Sequence, residues 1–238
     1  MARLPRRVRA FIAQPRNLRR IGLIAAAFVS GLVAVGYAKL FKLFEATSME
    51  LFGSRQQWLP MVAPVCFAAS WYLVYRFAPG AGGSGIPQVM AAIELEERRP
   101  GSAVKTNLLG PRLSAIKIVS SLLCVAAGGA VGREGPTLQL SASIFHSVGR
   151  TFRRFTRVAA METWLLAGAA AGLGAAFNTP LGGIVYAVEE LASKQFNRVR
   201  SSVLTAVLVA GLVSQWLVGS YLYLGFPRIG KTGLAVIP

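Results

Sequence analysis

The chain has 238 residues, 54% of them hydrophobic and only 15% charged, with a formal net charge of +17. That charge content is low for an ordinary soluble domain. The positive residues lie mostly between long apolar runs, which points away from nucleic acid and toward membrane topology, where basic residues collect in cytoplasmic loops.

Residues 1–20 carry seven arginines with Pro5 and Pro15, and read as a basic cytoplasmic arm. The apolar run that follows is too long for a signal-peptide core, so no cleavable signal peptide is expected. Residues 21–44 are predicted to span the membrane, 45–55 to form a loop, and 56–75 to span again, with Pro60 and Pro64 near the start where proline does least harm. Residues 84–93 read as a short helix with Ser84 as its N-cap and Pro87 in its first turn. A charged loop is predicted over 94–112, then an apolar helix over 113–131 that is interrupted only by Lys117. A second short helix opens at Glu134, with Pro136 in its first turn, and runs to about 148. After a basic loop at 149–157, residues 163–190 are uncharged until their end, and Asn178-Thr179-Pro180 divides them into two helices. The last apolar segment covers 201–226. The division is therefore a basic arm (1–20), a membrane domain (21–226) and a short tail (227–238).

Basic segments (the arm, 94–117, 149–157 and 194–200) alternate with nearly neutral ones, which places the N-terminus in the cytoplasm. Small residues recur four apart at Gly128/Gly132, Gly168/Gly172 and Ala170/Gly174, a spacing that permits close helix packing in lipid. Cys66 and Cys124 sit in apolar runs and suggest neither a disulfide nor a metal site. His146 is the only histidine and reads as a packed, hydrogen-bonded residue; no cluster exists to complete a metal site with it. Two nucleotide motifs are chance matches. Gly80–Gly85 fits G-x-G-x-x-G but follows a membrane-length apolar run and not a strand. Residues 225–232 fit the P-loop pattern but leave no room for its helix. Neither nucleotide nor any other cofactor is expected. No nucleophile–base or metal constellation suggests an enzyme.

Three polar intrusions carry the chemistry. Gly82-Gly83-Ser84-Gly85-Ile86-Pro87 places a hydroxyl and free backbone N–H groups at a helix start, an arrangement suited to an anion. Gly132-Arg133-Glu134-Gly135-Pro136 puts a carboxylate at a second such start. Deprotonated it competes with an anion; protonated it leaves the site. The alternative for it is a structural Arg133–Glu134 pair, weakened because neighbours on a helix rarely face each other. Glu189-Glu190 closes the third segment. Carboxylates at membrane depth are functional candidates. For Glu190 these are a proton station with a raised pKa or a pair with Lys194 or Arg198; Glu189 reads as facing solvent or a partner chain.

These motifs resemble the CLC family of chloride channels and chloride/proton antiporters. The resemblance rests on Gly83-Ser84-Gly85-Ile86-Pro87, Gly132-Arg133-Glu134-Gly135-Pro136, and Ala175-Ala176-Phe177-Asn178-Thr179-Pro180-Leu181 running into Glu189-Glu190. It implies an all-α integral membrane protein, the N-terminal half of an inverted-repeat fold with tilted and discontinuous helices. It implies chloride binding by Ser84, Gly85, Ile86, Pro87, Arg133, Glu134 and Gly135, with Glu134 as gate and Glu190 as inner proton site. Chloride and protons would be the transported ions, in a homodimer of the full-length form, in a bacterial inner membrane. Glu190 favours an antiporter over a passive channel. Gln88 departs from a glutamate common after Ile-Pro. The family's second half, with its Gly-x-Phe-x-Pro segment and filter tyrosine, has no counterpart here. A fragment without transport is therefore the rival expectation, along with a half that pairs with another half.

Overall fold

The computed structural model describes residues 14–54, 56–100, 108–153, 160–186, 188–189 and 196–219. These form eight α-helices and no strand: α1 (Pro15–Ser54), α2 (Leu59–Phe77), α3 (Ile86–Arg98), α4 (Pro111–Ala126), α5 (Glu134–Arg153), α6 (Met161–Ala176), α7 (Pro180–Tyr186) and α8 (Phe196–Val218). Short 3-10 turns at Gln56–Trp58 and Pro79–Ala81 precede α2 and the glycine-rich loop.

Helix α6 is the axis of the bundle. Its residues from Thr163 to Ala175 are all buried. A helix that is apolar on every face is stable only when surrounded, and α1, α3, α5, α7 and α8 all pack against it. The predicted small-residue spacing explains how close they come. A Cβ on Gly168 would lie 2.8 Å from Phe145, and one on Gly172 would lie 2.7 Å from Ser141, both on α5. Ser141 Oγ donates to the Gly168 carbonyl, so its own oxygen is left to accept from Ser30 on α1. Such inter-helix hydroxyl bonds hold helices together where lipid supplies no hydrophobic drive. Gly128 and Gly132 do not belong to this pattern, because α4 stops at Ala126 and Gly128 turns the chain with φ +79°.

The remaining apolar surface faces outward. On α2, Met61, Val65, Trp71 and Tyr75 are each more than 60% exposed; Trp71 and Tyr75 stack along that face. A surface of this kind is at home against lipid or a further protein layer. Among the described residues, α1 and α8 are long and apolar enough to cross a membrane.

Several boundaries differ from the sequence reading. The loop expected at 45–55 is helical to Ser54. No proline or glycine lies between Gly36 and Gly53, so nothing breaks the helix. At 40 residues it is about 60 Å long, twice the hydrocarbon thickness, and must tilt or project. Helix α3 extends through the expected loop to Arg98, closed by an exposed Glu94–Arg98 pair at 2.7 Å. Helix α5 likewise continues to Arg153. The break at 177–179 falls as expected, with Asn178 at φ +53°. Asparagine tolerates that left-handed conformation, and its side chain donates to the Gly219 carbonyl at 2.8 Å. Both cysteines are free thiols. The segment before Gly80 is helix α2, so the G-x-G-x-x-G match has no strand in front of it. The P-loop match at 225–232 and the 227–238 tail lie outside the described residues.

Candidate functional site

The loop 80–85 is built by side chains that take up its carbonyls. Gln139 Nε2 donates to Gly80 O at 3.0 Å, Lys117 Nζ to Ala81 O at 2.8 Å and to Gly83 O at 2.6 Å, and Gln88 Nε2 to Gly82 O at 2.6 Å. Four consecutive carbonyls are thereby satisfied from α3, α4 and α5. The N–H groups of Gly83, Ser84 and Gly85 have no backbone acceptor among the described residues. A run of unpaired N–H groups at a helix start is the chemistry of an anion seat. Gln88, the departure noted in the sequence, thus serves the loop directly.

Ser84 is not the N-cap. Gly85 holds that position with φ +103°, and α3 begins at Ile86 with Pro87 next to it. The Ile86 N–H reaches Ser84 Oγ only weakly, at 3.4 Å, which leaves the exposed hydroxyl available to a ligand. Glycine at 85 is required twice over. Its φ is left-handed, and a Cβ there would lie 2.8 Å from Gln139 Oε1 and 3.0 Å from Gly135 O. Gly135 on α5 in turn packs directly on the Ser84 carbonyl. Gly85→Ala is therefore expected to strain the backbone by about 1–2 kcal/mol and to displace Gln139 from Gly80. Melting and halide titration should both show a loss; wild-type behaviour in both would count against this account of the loop.

Glu134 is the first residue of α5, as expected. Its carboxylate folds back toward Gly132, with Oε2 2.7 Å from where a Cβ on that glycine would stand. Arg133 Nε approaches Oε1 at only 4.0 Å, the limit of an ion pair. The structural pair weighed in the sequence therefore exists in loose form.

A cavity of about 490 Å³ brings these parts together. Its wall includes Ser84, Ile86, Glu134, Gly135 and Lys117. Gly85 and Pro87, expected among the chloride-binding residues, do not line it, and Arg133 faces a second cavity of about 250 Å³ with Lys39, Lys42 and Asn178. Glu189 is exposed. Glu190, with the partners considered for it, lies outside the described residues.

Lys117 is the residue that sequence reasoning missed. The sequence reading sets it inside the predicted helix 113–131 and counts it toward the basic side of the membrane, but gives it no role at the site; it lies in the second turn of α4 and is 3% exposed. Its ammonium clamps the loop and lines the cavity between Ser84 and Glu134. The signal was present: a lone lysine in the otherwise apolar run 113–131 is expensive in a membrane setting and so calls for a role.

Fold and cavity define the class first: an all-α integral membrane protein whose broken helices end on a polar cavity, as in transporters built from repeats. A family model described as voltage gated chloride channel matches residues 66–237, and the chain belongs to this CLC family. It is 33% identical over 217 residues to the H(+)/Cl(-) exchange transporter ClcA of Citrobacter koseri, covering 87% of this chain and 44% of that relative. Against the H(+)/Cl(-) exchange transporter ClcA of Salmonella newport the identity is 32% over 226 residues, 90% of this chain and 46% of the relative. The fold matches a slow cyanobacterial Cl-/H+ antiporter with a TM-score of 0.72 at 25% identity, covering 90% of this chain and 50% of that one. A eukaryotic CLC transporter matches with a TM-score of 0.69 at 21% identity, over 82% of this chain and 37% of that one, which bears on the fold alone. The chain spans about half the length of the curated relatives it matches. Its architecture is the N-terminal half of the CLC fold.

Proposed function

We propose that this chain supplies one half of a chloride/proton antiporter, with chloride seated at Ser84 and the start of α3, and with Glu134 as the competing gate. The observation that carries the reading is the single cavity shared by the Ser84 hydroxyl, the Lys117 ammonium and the Glu134 carboxylate. An anion there meets one hydroxyl, unpaired N–H groups and a buried cation. Among the described residues the Glu134 carboxylate is the only acid on the wall, so protonation weakens its competition with chloride. The relatives are exchange transporters of H(+) and Cl(-) by name, which supports antiport over passive conduction and over enzymatic activity. Glu190 enters as the inner proton site through the family resemblance. We place the N-terminus in the cytoplasm of a bacterial inner membrane, from the distribution of basic loops, and expect the complete assembly to be a homodimer.

The test is chloride efflux from liposomes carrying the natural assembly that contains this chain, with external pH recorded. A chloride gradient should drive protons uphill. Glu190→Gln should keep chloride flux and reduce proton movement by roughly tenfold or more, since a positioned proton carrier is worth at least that. Proton movement unchanged in Glu190→Gln would remove the inner-site role. Chloride flux without proton movement in the wild type would make the protein a channel.

A further inference from the structure

A third cavity, of about 320 Å³, opens where the end of α2, the start of α4 and the later turns of α5 meet. It shares no lining residue with the chloride cavity. Arg112 and Arg150 both line it, and neither makes a salt bridge among the described residues. The first turn of α4 also lies on its wall, through Pro111, Arg112 and Leu113. The backbone N–H groups of Arg112 and Leu113 precede the first intrahelical bond and find no backbone acceptor there.

The independent observation is His146. Its ring is 3% exposed and lines this cavity, and its buried Nε2 has no hydrogen-bond partner. The sequence led us to expect a satisfied packing histidine. A buried ring nitrogen without a partner is unfavourable unless something supplies one. Two guanidinium groups, a helix N-terminus and an imidazole nitrogen able to carry a proton together form a donor-rich site with no acidic residue on its wall among the described residues. Glu96, buried on α3, acts electrostatically on the same ring but is not part of that wall.

The rim indicates how a ligand arrives. Phe77 lines the cavity and is 41% exposed, with Arg76 over its ring at 5.8 Å, at the foot of the Trp71–Tyr75 stack. Aromatic and basic residues together mark the level of lipid headgroups. The volume is at the small end of the range for ligand pockets, which suits one phosphate better than a whole nucleotide.

We propose that this cavity is a phosphate-binding site at the basic-loop end of the bundle, in which Arg112, Arg150, His146 and the start of α4 hold a phosphate group, presented by an anionic lipid headgroup or free in solution. The site stands apart from the chloride reading and does not depend on it.

The natural assembly, delipidated in detergent, is titrated with inorganic phosphate and followed by phosphorus NMR line broadening. In parallel it is placed in nanodiscs of phosphatidylglycerol or of phosphatidylcholine, and retained lipid is read by native mass spectrometry. We expect saturable phosphate binding, or selective retention of phosphatidylglycerol, weakened at least tenfold in the double variant Arg112→Gln/Arg150→Gln. The first result assigns the free anion as source and the second the lipid. His146→Gln, which keeps the volume and a donor, covers the case in which the double variant fails to fold; it should bind more weakly while melting as the wild type does. Binding absent with both probes would overturn the proposal. So would binding unchanged in the variants.

Discussion

Replacing Glu134 by glutamine should leave chloride moving and stop the protons. Glutamine has nearly the same shape as a protonated glutamate, so α5 should start normally and Gly135 should still pack on the Ser84 carbonyl. What is lost is the charge and the exchangeable proton. The carboxylate that folds back toward Gly132 can no longer ionise and compete for the cavity. Chloride flux should therefore persist and lose its dependence on pH. Proton transport should fall by about a hundredfold, the usual scale for removing a positioned proton-transfer group. The loose Arg133 contact at 4.0 Å contributes little to stability, being partly exposed, so melting should hardly change. Simultaneous records of chloride efflux and external pH decide it. Protons still driven by chloride in Glu134→Gln would contradict the gate.

What the sequence made legible follows from how each feature is encoded. The helix break at Asn178-Thr179-Pro180 was readable because proline and a left-handed asparagine leave few alternatives. The packing of Gly168 and Gly172 against α5 was readable because only small residues admit such an approach. The ends of α1, α3 and α5 were not, because polar residues in good helix formers such as Glu45–Glu50 signal exposure without signalling a break. The glycine-flanked serine was legible as a candidate anion seat, but what builds its loop was not. Gln139 lies 59 residues from the carbonyl it holds, Lys117 lies 36 and 34 residues from its two, and no local pattern announces such partners. Ser84 illustrates the difference. Its residue type suggested an N-cap, whereas the positive φ of Gly85 moved the cap one residue on and left the hydroxyl available for a ligand.

Lys117→Met should damage the site more than any other single change at its wall. Methionine fills a similar volume in the apolar helix but has no donors. Two carbonyls, Ala81 O and Gly83 O, lose side-chain bonds of 2.8 and 2.6 Å. Each polar group left unpaired in a buried setting costs about 1–3 kcal/mol. The loop is then free to turn carbonyls toward the cavity, where they would repel an anion, and the buried positive charge is gone. Chloride affinity should fall by more than about tenfold, equivalent to about 1.4 kcal/mol, together with a lower melting temperature. Lys117→Gln separates the two contributions, since an amide keeps a donor and drops the charge. If the ammonium acts only as a clamp, glutamine restores both melting and chloride affinity. If it also attracts the anion, glutamine restores melting while affinity stays low, and that is the result we expect, because the lysine lies on the same wall as Ser84 and Glu134. Isothermal titration with chloride alongside thermal melting distinguishes these outcomes; a methionine variant that binds chloride as tightly as the wild type would remove Lys117 from the site.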